Sequence, residues 1–261
     1  MKIFVASFNR ASNGAISKLV RVMSEEKIYT KTPISADYIM IVGDRVESFD
    51  FALNCFRSNI PIIHLWAGEK SSWATHDDVY RHAITMMSTM QLCTNDDAQK
   101  TVRDLLKSVG KKSNAHIVGN LMFDNLEIDE SIVPNYPYDV VLYNPKTVGT
   151  EKDVLDDIMD IRIILKDHYF WIEPNGDKYS ELLSDFITDK TFPRPQFLGL
   201  LKHCDRFITN SSCQYYEAPF VMKDGDIIQI GDRNKTRSSS KSNMKIPDAT
   251  DNIIKLLRSL K

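Results

Sequence analysis

Charged and amide residues gather at one recurring place in this chain, directly after short runs of apolar residues. Asn9-Arg10 follows the first such run, Gly43-Asp44-Arg45 the second and Gly68-Glu69 the third; Asp77-Asp78-Val79-Tyr80-Arg81-His82 then opens a helical stretch. In the second half the equivalents are Asn144-Pro145-Lys146-Thr147, Pro174-Asn175, Asn210-Ser211-Ser212 and Gly231-Asp232-Arg233. Carboxylates exchange protons, while arginines and helix-end N–H groups neutralise phosphate, so the set suits acid–base chemistry on a phosphorylated sugar. Asp44, Glu69 and Asp78 are the candidate proton-transfer groups. Ser211 and Ser212, at the expected start of a helix after the strand Arg206–Thr209, are the candidate diphosphate cradle, because the first N–H groups of a helix lack partners and its dipole is positive there. Glu217, on the same expected helix, is placed to accept hydrogen bonds from vicinal hydroxyls such as a ribose. Taken locally, these residues also suit an ordinary serine cap followed by a surface glutamate.

The elements that must carry these residues are legible from periodicity. Strands are expected at Ile3–Ser7, Tyr38–Val42, Ile60–Trp66, Met90–Thr94, His116–Val118, Val140–Tyr143, Tyr169–Ile172, Arg206–Thr209 and Ile227–Ile230. Helical patterns lie near 15–26, 48–57, 78–89, 96–108, 151–166, 178–187, 195–203, 213–218 and 249–260. Buried strands alternating with helices predict an α/β fold with parallel sheets, and ligands of such sheets collect outside the C-terminal strand ends. Pro134 and Pro137 interrupt the pattern within 125–137, which places a linker there and divides the chain into residues 1–128 and 129–261. Carboxylates of one domain facing an anion site of the other would make an interdomain cleft for a phosphorylated sugar.

Composition narrows the classes. A chain of 261 residues with formal net charge −2 gives no global argument for a polyanion partner. The four cysteines and six histidines show no metal-ligand spacing, so neither a metal nor a disulfide framework is expected. No apolar run is long enough for a membrane span, and the first residues lack the pattern of a signal peptide, which predicts a cytoplasmic protein without a membrane partner. His64, inside an apolar strand, is expected to be a satisfied core histidine, and His82 a neighbour of the site rather than a lone catalyst.

Gly43-Asp44-Arg45-Val46-Glu47, the run Ile60 to Glu69, Asp77 to Thr85, Val118-Gly119-Asn120, Asn210-Ser211-Ser212 and Gly231-Asp232-Arg233-Asn234-Lys235 occur in this order. In order and spacing the chain resembles the hydrolysing UDP-N-acetylglucosamine 2-epimerase family. The resemblance implies a GT-B-like architecture, with two Rossmann-like domains, UDP-sugar in the cleft and the final helix 249–260 crossing back to the first domain. It also implies roles. Arg10 approaches the diphosphate, Ser211 and Ser212 cradle it, Glu217 holds the ribose, Arg233 lies in the loop beside the uracil, and Asp44, Glu69 and Asp78 are the catalytic carboxylates. In the family a base removes the C2 proton, UDP leaves, and the glycal-like intermediate is rehydrated on the other face. No cofactor beyond the UDP-sugar donor is implied, and a homodimer is one assembly to be expected.

Two departures shape the functional expectation. Where the family carries a histidine before a proline, this chain has Asn144-Pro145, and an amide can hydrogen-bond a phosphate but cannot exchange protons. The first domain is also shortened, since Asp44 follows Arg10 by only 34 positions. Loss of the shuttle with retention of the UDP cradle favours a UDP-sugar-dependent glycosyltransferase, in which Glu69 serves as base toward an acceptor hydroxyl and Asp78 orients. The alternatives are the epimerase itself, releasing ManNAc and UDP, and a non-catalytic UDP-sugar binder. The acceptor is open: Lys111, Lys112, Arg233, Lys235, Arg237, Lys241 and Lys245 would suit DNA, by analogy with viral GT-B enzymes that glycosylate hydroxymethylated bases. They equally suit a solvated loop or a diphosphate-neutralising cluster.

Overall fold

The structure, a computed structural model, describes every residue except 9, 72–75, 125–126, 175, 177, 223–225, 235–245, 247 and 261; residues 10 and 11 are described in backbone only. It divides into two compact units. The first comprises 1–70, 77–125 and 240–261, the second 71–76 and 126–239.

In the first unit, β1 (Ile3–Ala6), β2 (Tyr38–Val42), β3 (Ile62–Leu65), β4 (Met90–Cys93) and β5 (Ala115–Ile117) form a parallel sheet in that order. β2, β3 and β4 are almost wholly buried, as continuous runs such as Ile39-Met40-Ile41-Val42 require of strands covered on both faces. Residues 28–30 lie along the outer edge of β1, with Ile3 N–H donating to Ile28 O at 2.8 Å and Thr30 N–H to Ile3 O at 3.0 Å. The chain therefore winds outward from β1 first in one direction, through α1 (Arg10–Glu25), and then in the other, through α2 (Val46–Arg57), α3 (Asp77–Met87) and α4 (Asp96–Ser108). Such a reversal puts helices on both faces and opens a crevice beyond the ends of the strands that flank it. Leu19 and Met23 of α1 pack on one face, Ala52 and Cys55 of α2 and Ile84 of α3 on the other.

The second unit repeats the device. β6 (Asp139–Leu142), β7 (Tyr169–Trp171), β8 (Arg206–Thr209) and β9 (Ile227–Gln229) are parallel in the order β7-β6-β8-β9, so winding reverses at β6. α5 (Glu151–Ile164) covers one face through Val154, Ile158 and Ile161, and α6 (Arg194–His203) the other through Leu200 and Leu201. Thr150 starts α5 with a reciprocal capping box to Asp153.

The last helix, α9 (Ala249–Arg258), belongs to the first unit. Its Ile253, Ile254 and Leu257 are buried with Leu19, Met40 and Leu121, and the Asp124 carboxylate accepts from the N–H groups of Ala249, at 3.0 Å, and Thr250.

Among the described residues nine strands fall where the apolar runs predict them, whereas two of the expected helices do not form as such. The stretch 178–187 holds only a 3-10 turn, Ser180–Leu183, because the chain must instead cover the edge of β7: Thr188 N–H donates to Trp171 O, and Trp171 N–H to Thr188 Oγ1. The expected helix at 213–218 is two single turns, α7 (Cys213–Tyr216) and α8 (Ala218–Val221), broken at Glu217, whose φ is −123°. Pro219 has no N–H to continue the helix and disfavours helical backbone before it. Among the described residues no helix is long and apolar enough to cross a membrane.

Candidate functional site

In the first unit the reversal point is flanked by the ends of β1 and β2. Gly43 leaves β2 at φ +80°, and the next residue, Asp44, stands just before Arg45, the N-cap of α2. The backbone of Gly43 is fixed from beneath by His64 on β3, whose Nε2 lies 3.0 Å from Gly43 O and Nδ1 3.0 Å from Thr85 Oγ1. Burial pushes the pKa of His64 down to about 4, so the ring is neutral, with Nε2–H donating and Nδ1 accepting. It is the satisfied core histidine that its apolar strand predicts.

β3 ends in a sharp turn. Trp66 takes the left-handed conformation at φ +66°, unusual for a bulky residue, and Gly68 follows at φ +82°. A Cβ on Gly68 would run into the backbone of Ala98, so only glycine fits. That turn sets out Glu69, half-buried, whose Oε1 accepts from Thr94 Oγ1 at the end of β4. Trp66 lies against the apolar core with its indole nitrogen buried; Trp73 lies outside the described residues.

Two of the three predicted carboxylates, Asp44 and Asp78, pair with one group that the sequence argument passed over, Arg81 of α3, which reaches the third residue, Glu69, at its backbone carbonyl. Its guanidinium, buried to within 4% exposure, pairs with Asp44 and with Asp78 and donates from Nη1 to Glu69 O at 2.9 Å. Asp78 is itself 1% exposed and Asp44 partly so. One guanidinium is thus shared by two carboxylates, which between them satisfy its buried donors. His82, beside Arg81, has its pKa lowered by burial and then by the Arg81 charge, which keeps it neutral. Asp44 and Asp78 are thus engaged by Arg81, while the Glu69 carboxylate is held by a neutral hydroxyl. Arg10 opens α1 at the other side of the reversal, and its side chain lies outside the described residues.

In the second unit the corresponding ends belong to β6 and β8. Asn144 and Asn210, both buried, exchange bonds: Asn144 N–H donates to Asn210 Oδ1 and Asn210 Nδ2 to Asn144 O, each at 2.8 Å. Arg233 Nη1 donates to Asn144 O at 2.9 Å and Pro145 O at 2.8 Å, and Asn234 Nδ2 to Asn210 O. Three strand-end loops are thereby laced into one platform. Lys146 pairs with Asp232 beside it, and Tyr143 donates to Asp157 at 2.8 Å. Ser211 sits on this platform, its N–H bonded to Thr209 Oγ1 at 2.9 Å and its Oγ accepting from Cys213 N–H at 3.4 Å. Ser212 precedes α7 and makes no side-chain capping bond. Because α7 is a single turn, any anion here is held by individual N–H and O–H groups rather than by a long helix dipole.

Glu217 is not the surface residue of a plain helix. It lies at the break between α7 and α8, is 6% exposed, and accepts from Arg194 Nε at 2.6 Å. The basic residues Lys235, Arg237, Lys241 and Lys245 fall outside the described residues.

Comparison with known proteins gives the family and the fold. The sequence profile of the UDP-N-acetylglucosamine 2-epimerase family matches residues 7–261. Curated relatives include polysialic acid biosynthesis protein P7 of Escherichia coli, 28% identical over 240 residues (84% of this chain and 61% of that protein). UDP-N-acetylglucosamine 2-epimerase of Neisseria meningitidis serogroup B is 28% identical over 243 residues (84% and 62%). The chain thus spans about three fifths of the length of these two relatives. Among solved structures, UDP-GlcNAc 2-epimerase of Methanocaldococcus jannaschii, in complex with UDP-GlcNAc and UDP, superposes with a TM-score of 0.69 at 15% identity, covering 99% of this chain and 100% of that one. The enzyme from Neisseria meningitidis bound to UDP-GlcNAc gives 0.66 at 14% identity, covering 100% and 91%. Those two show a shared GT-B-like fold. With the profile spanning nearly its whole length, the chain belongs to the UDP-N-acetylglucosamine 2-epimerase family.

Proposed function

We propose that the chain acts on a UDP-N-acetylhexosamine as a hydrolysing 2-epimerase, with Ser211, Ser212 and Glu217 serving UDP and Asp44, Glu69 and Asp78 serving the sugar. The observation that carries this reading is that Arg81 pairs with the carboxylates of Asp44 and Asp78 and binds the backbone carbonyl of Glu69. Removing a C2 proton needs a carboxylate as base; Glu69, set out by the Gly68 turn and bonded to the Thr94 hydroxyl, is the group assigned to it, and Asp44 and Asp78, paired with Arg81, orient the sugar. Elimination then places negative charge on the departing diphosphate, which Arg10 and the Ser211–Ser212 segment would stabilise. Addition of water to the glycal-like intermediate from the other face returns the epimerised sugar.

A second reading, a UDP-sugar glycosyltransferase, is favoured by one observation. Asn144, where the family resemblance expects histidine, is built into the strand-end platform and cannot exchange protons. Transfer to an acceptor hydroxyl needs no C2 chemistry, and the carboxylates would then serve the acceptor.

Incubation with UDP-GlcNAc in deuterated water separates these. The epimerase yields UDP and free ManNAc carrying deuterium at C2. UDP with unlabelled GlcNAc marks a transferase leaking to water, and binding without turnover marks a UDP-sugar binder; either overturns the epimerase reading.

A further inference from the structure

A carboxylate buried as deeply as Glu217 takes up a proton unless a cation stands beside it. Burial pushes the Glu217 pKa up, and Arg194 draws it back down. The source of that cation is unusual. Arg194 is the first residue of α6, where a positive charge faces the positive end of the helix dipole, and no acidic residue lies in that first turn. Its side chain is 17% exposed rather than extended into solvent, and its Nε meets Oε1 of Glu217 at 2.6 Å. Among the described residues Oε2 of Glu217 accepts no hydrogen bond.

We infer that Arg194 is a positioning residue for the nucleoside: by occupying Oε1 it keeps the buried Glu217 ionised and leaves Oε2 as acceptor for a ribose hydroxyl. This rests on the proposed reading in which Glu217 holds the ribose of UDP. The other titratable group that interacts with Glu217 is Cys213 of α7, a buried thiol whose pKa burial and then Glu217 itself raise, so it adds no charge. α8 adds none, its residues being Ala218, Pro219, Phe220 and Val221. Since α6 and the α7–α8 break are far apart in sequence, the pair also fixes the break on which the acceptor sits.

Calorimetric UDP affinity, measured for folded variants from about pH 6 to about pH 8.5, tests the inference, with each variant compared to wild type at equal pH so that titration of UDP cancels. Arg194→Met should weaken binding by about tenfold at the acid end, and the deficit should shrink as pH rises and the carboxylate ionises unaided. Arg194→Lys, which keeps the charge but not the planar fork, should show a smaller deficit that does not change with pH. In a Glu217→Gln background, Arg194→Met should cost nothing further. A deficit that is flat with pH and additive with Glu217→Gln would overturn the inference, showing that Arg194 merely packs; so would wild-type affinity in Arg194→Met. UDP binding undiminished in Glu217→Gln would overturn the ribose reading itself, a distinct outcome.

Discussion

Arg81 pairs with two of the motif carboxylates, and the third, of Glu69, accepts from the Thr94 hydroxyl; these contacts decide what each replacement should do. Glu69→Gln keeps the shape and the Thr94 contact but abolishes proton transfer, so turnover should fall by about 10²–10⁴ while UDP affinity stays near wild type, measured by product release and calorimetry. A Glu69→Gln enzyme with normal turnover would return the base to Asp44 or Asp78. His64 makes a separate prediction. Its pKa is lowered from 6.5 to about 4 in the folded chain, so between those values the unfolded chain binds the extra proton. Stability from this group is therefore complete above about pH 6.5 and is lost as pH falls toward 4, by about 3 kcal/mol in all. Urea unfolding of His64→Gln against wild type should show that slope only in the wild type; parallel curves would refute it. Neither arrangement was fully legible in the sequence. The carboxylates stood out by following strands, but Arg81 could have been found only by noticing that it shares the buried face of α3 with Asp78, Ile84 and Thr85. A charge on a buried helical face demands partners.

The strands were legible because each is buried on both faces and must read as an apolar run. Helices were less so where tertiary demands outweigh period: 178–187 gives up its helix to cap the edge of β7, and Pro219 divides the helix expected to follow Ser212. Turns carry the most specific constraint. At Gly68 the left-handed backbone and the Ala98 carbonyl both exclude a side chain. Gly68→Ala should force the turn outward and carry Glu69 with it, lowering turnover by about tenfold or more even where the fold survives. Thermal unfolding alongside turnover would check this; a Gly68→Ala protein less stable but with full turnover would separate the turn from the chemistry. In the second unit, Thr150→Ala removes the capping box of α5 and should cost only about 1 kcal/mol, with turnover unaffected. Equilibrium unfolding would register it.

At the scale of the whole molecule, sequence order and structural membership disagree. α9 comes last, yet Ile253, Ile254 and Leu257 fill the core beneath β1, β2 and β3. Leu257→Ala should therefore cost about 2–5 kcal/mol in the first unit. Native-state hydrogen exchange should show amides of β1–β4 opening faster while those of β6–β8 keep their protection. Faster exchange across both sheets would mean that the two units unfold as one. The membership of α9 has a further consequence on the ribosome. Residues 126–239 emerge as a nearly unbroken stretch and can close their own core at once. The first unit, although translated earlier, must wait with the face beneath β1 to β3 only partly covered, by α1, until α9 leaves the exit tunnel. Its nascent chain is thus the part of this protein that most needs a chaperone.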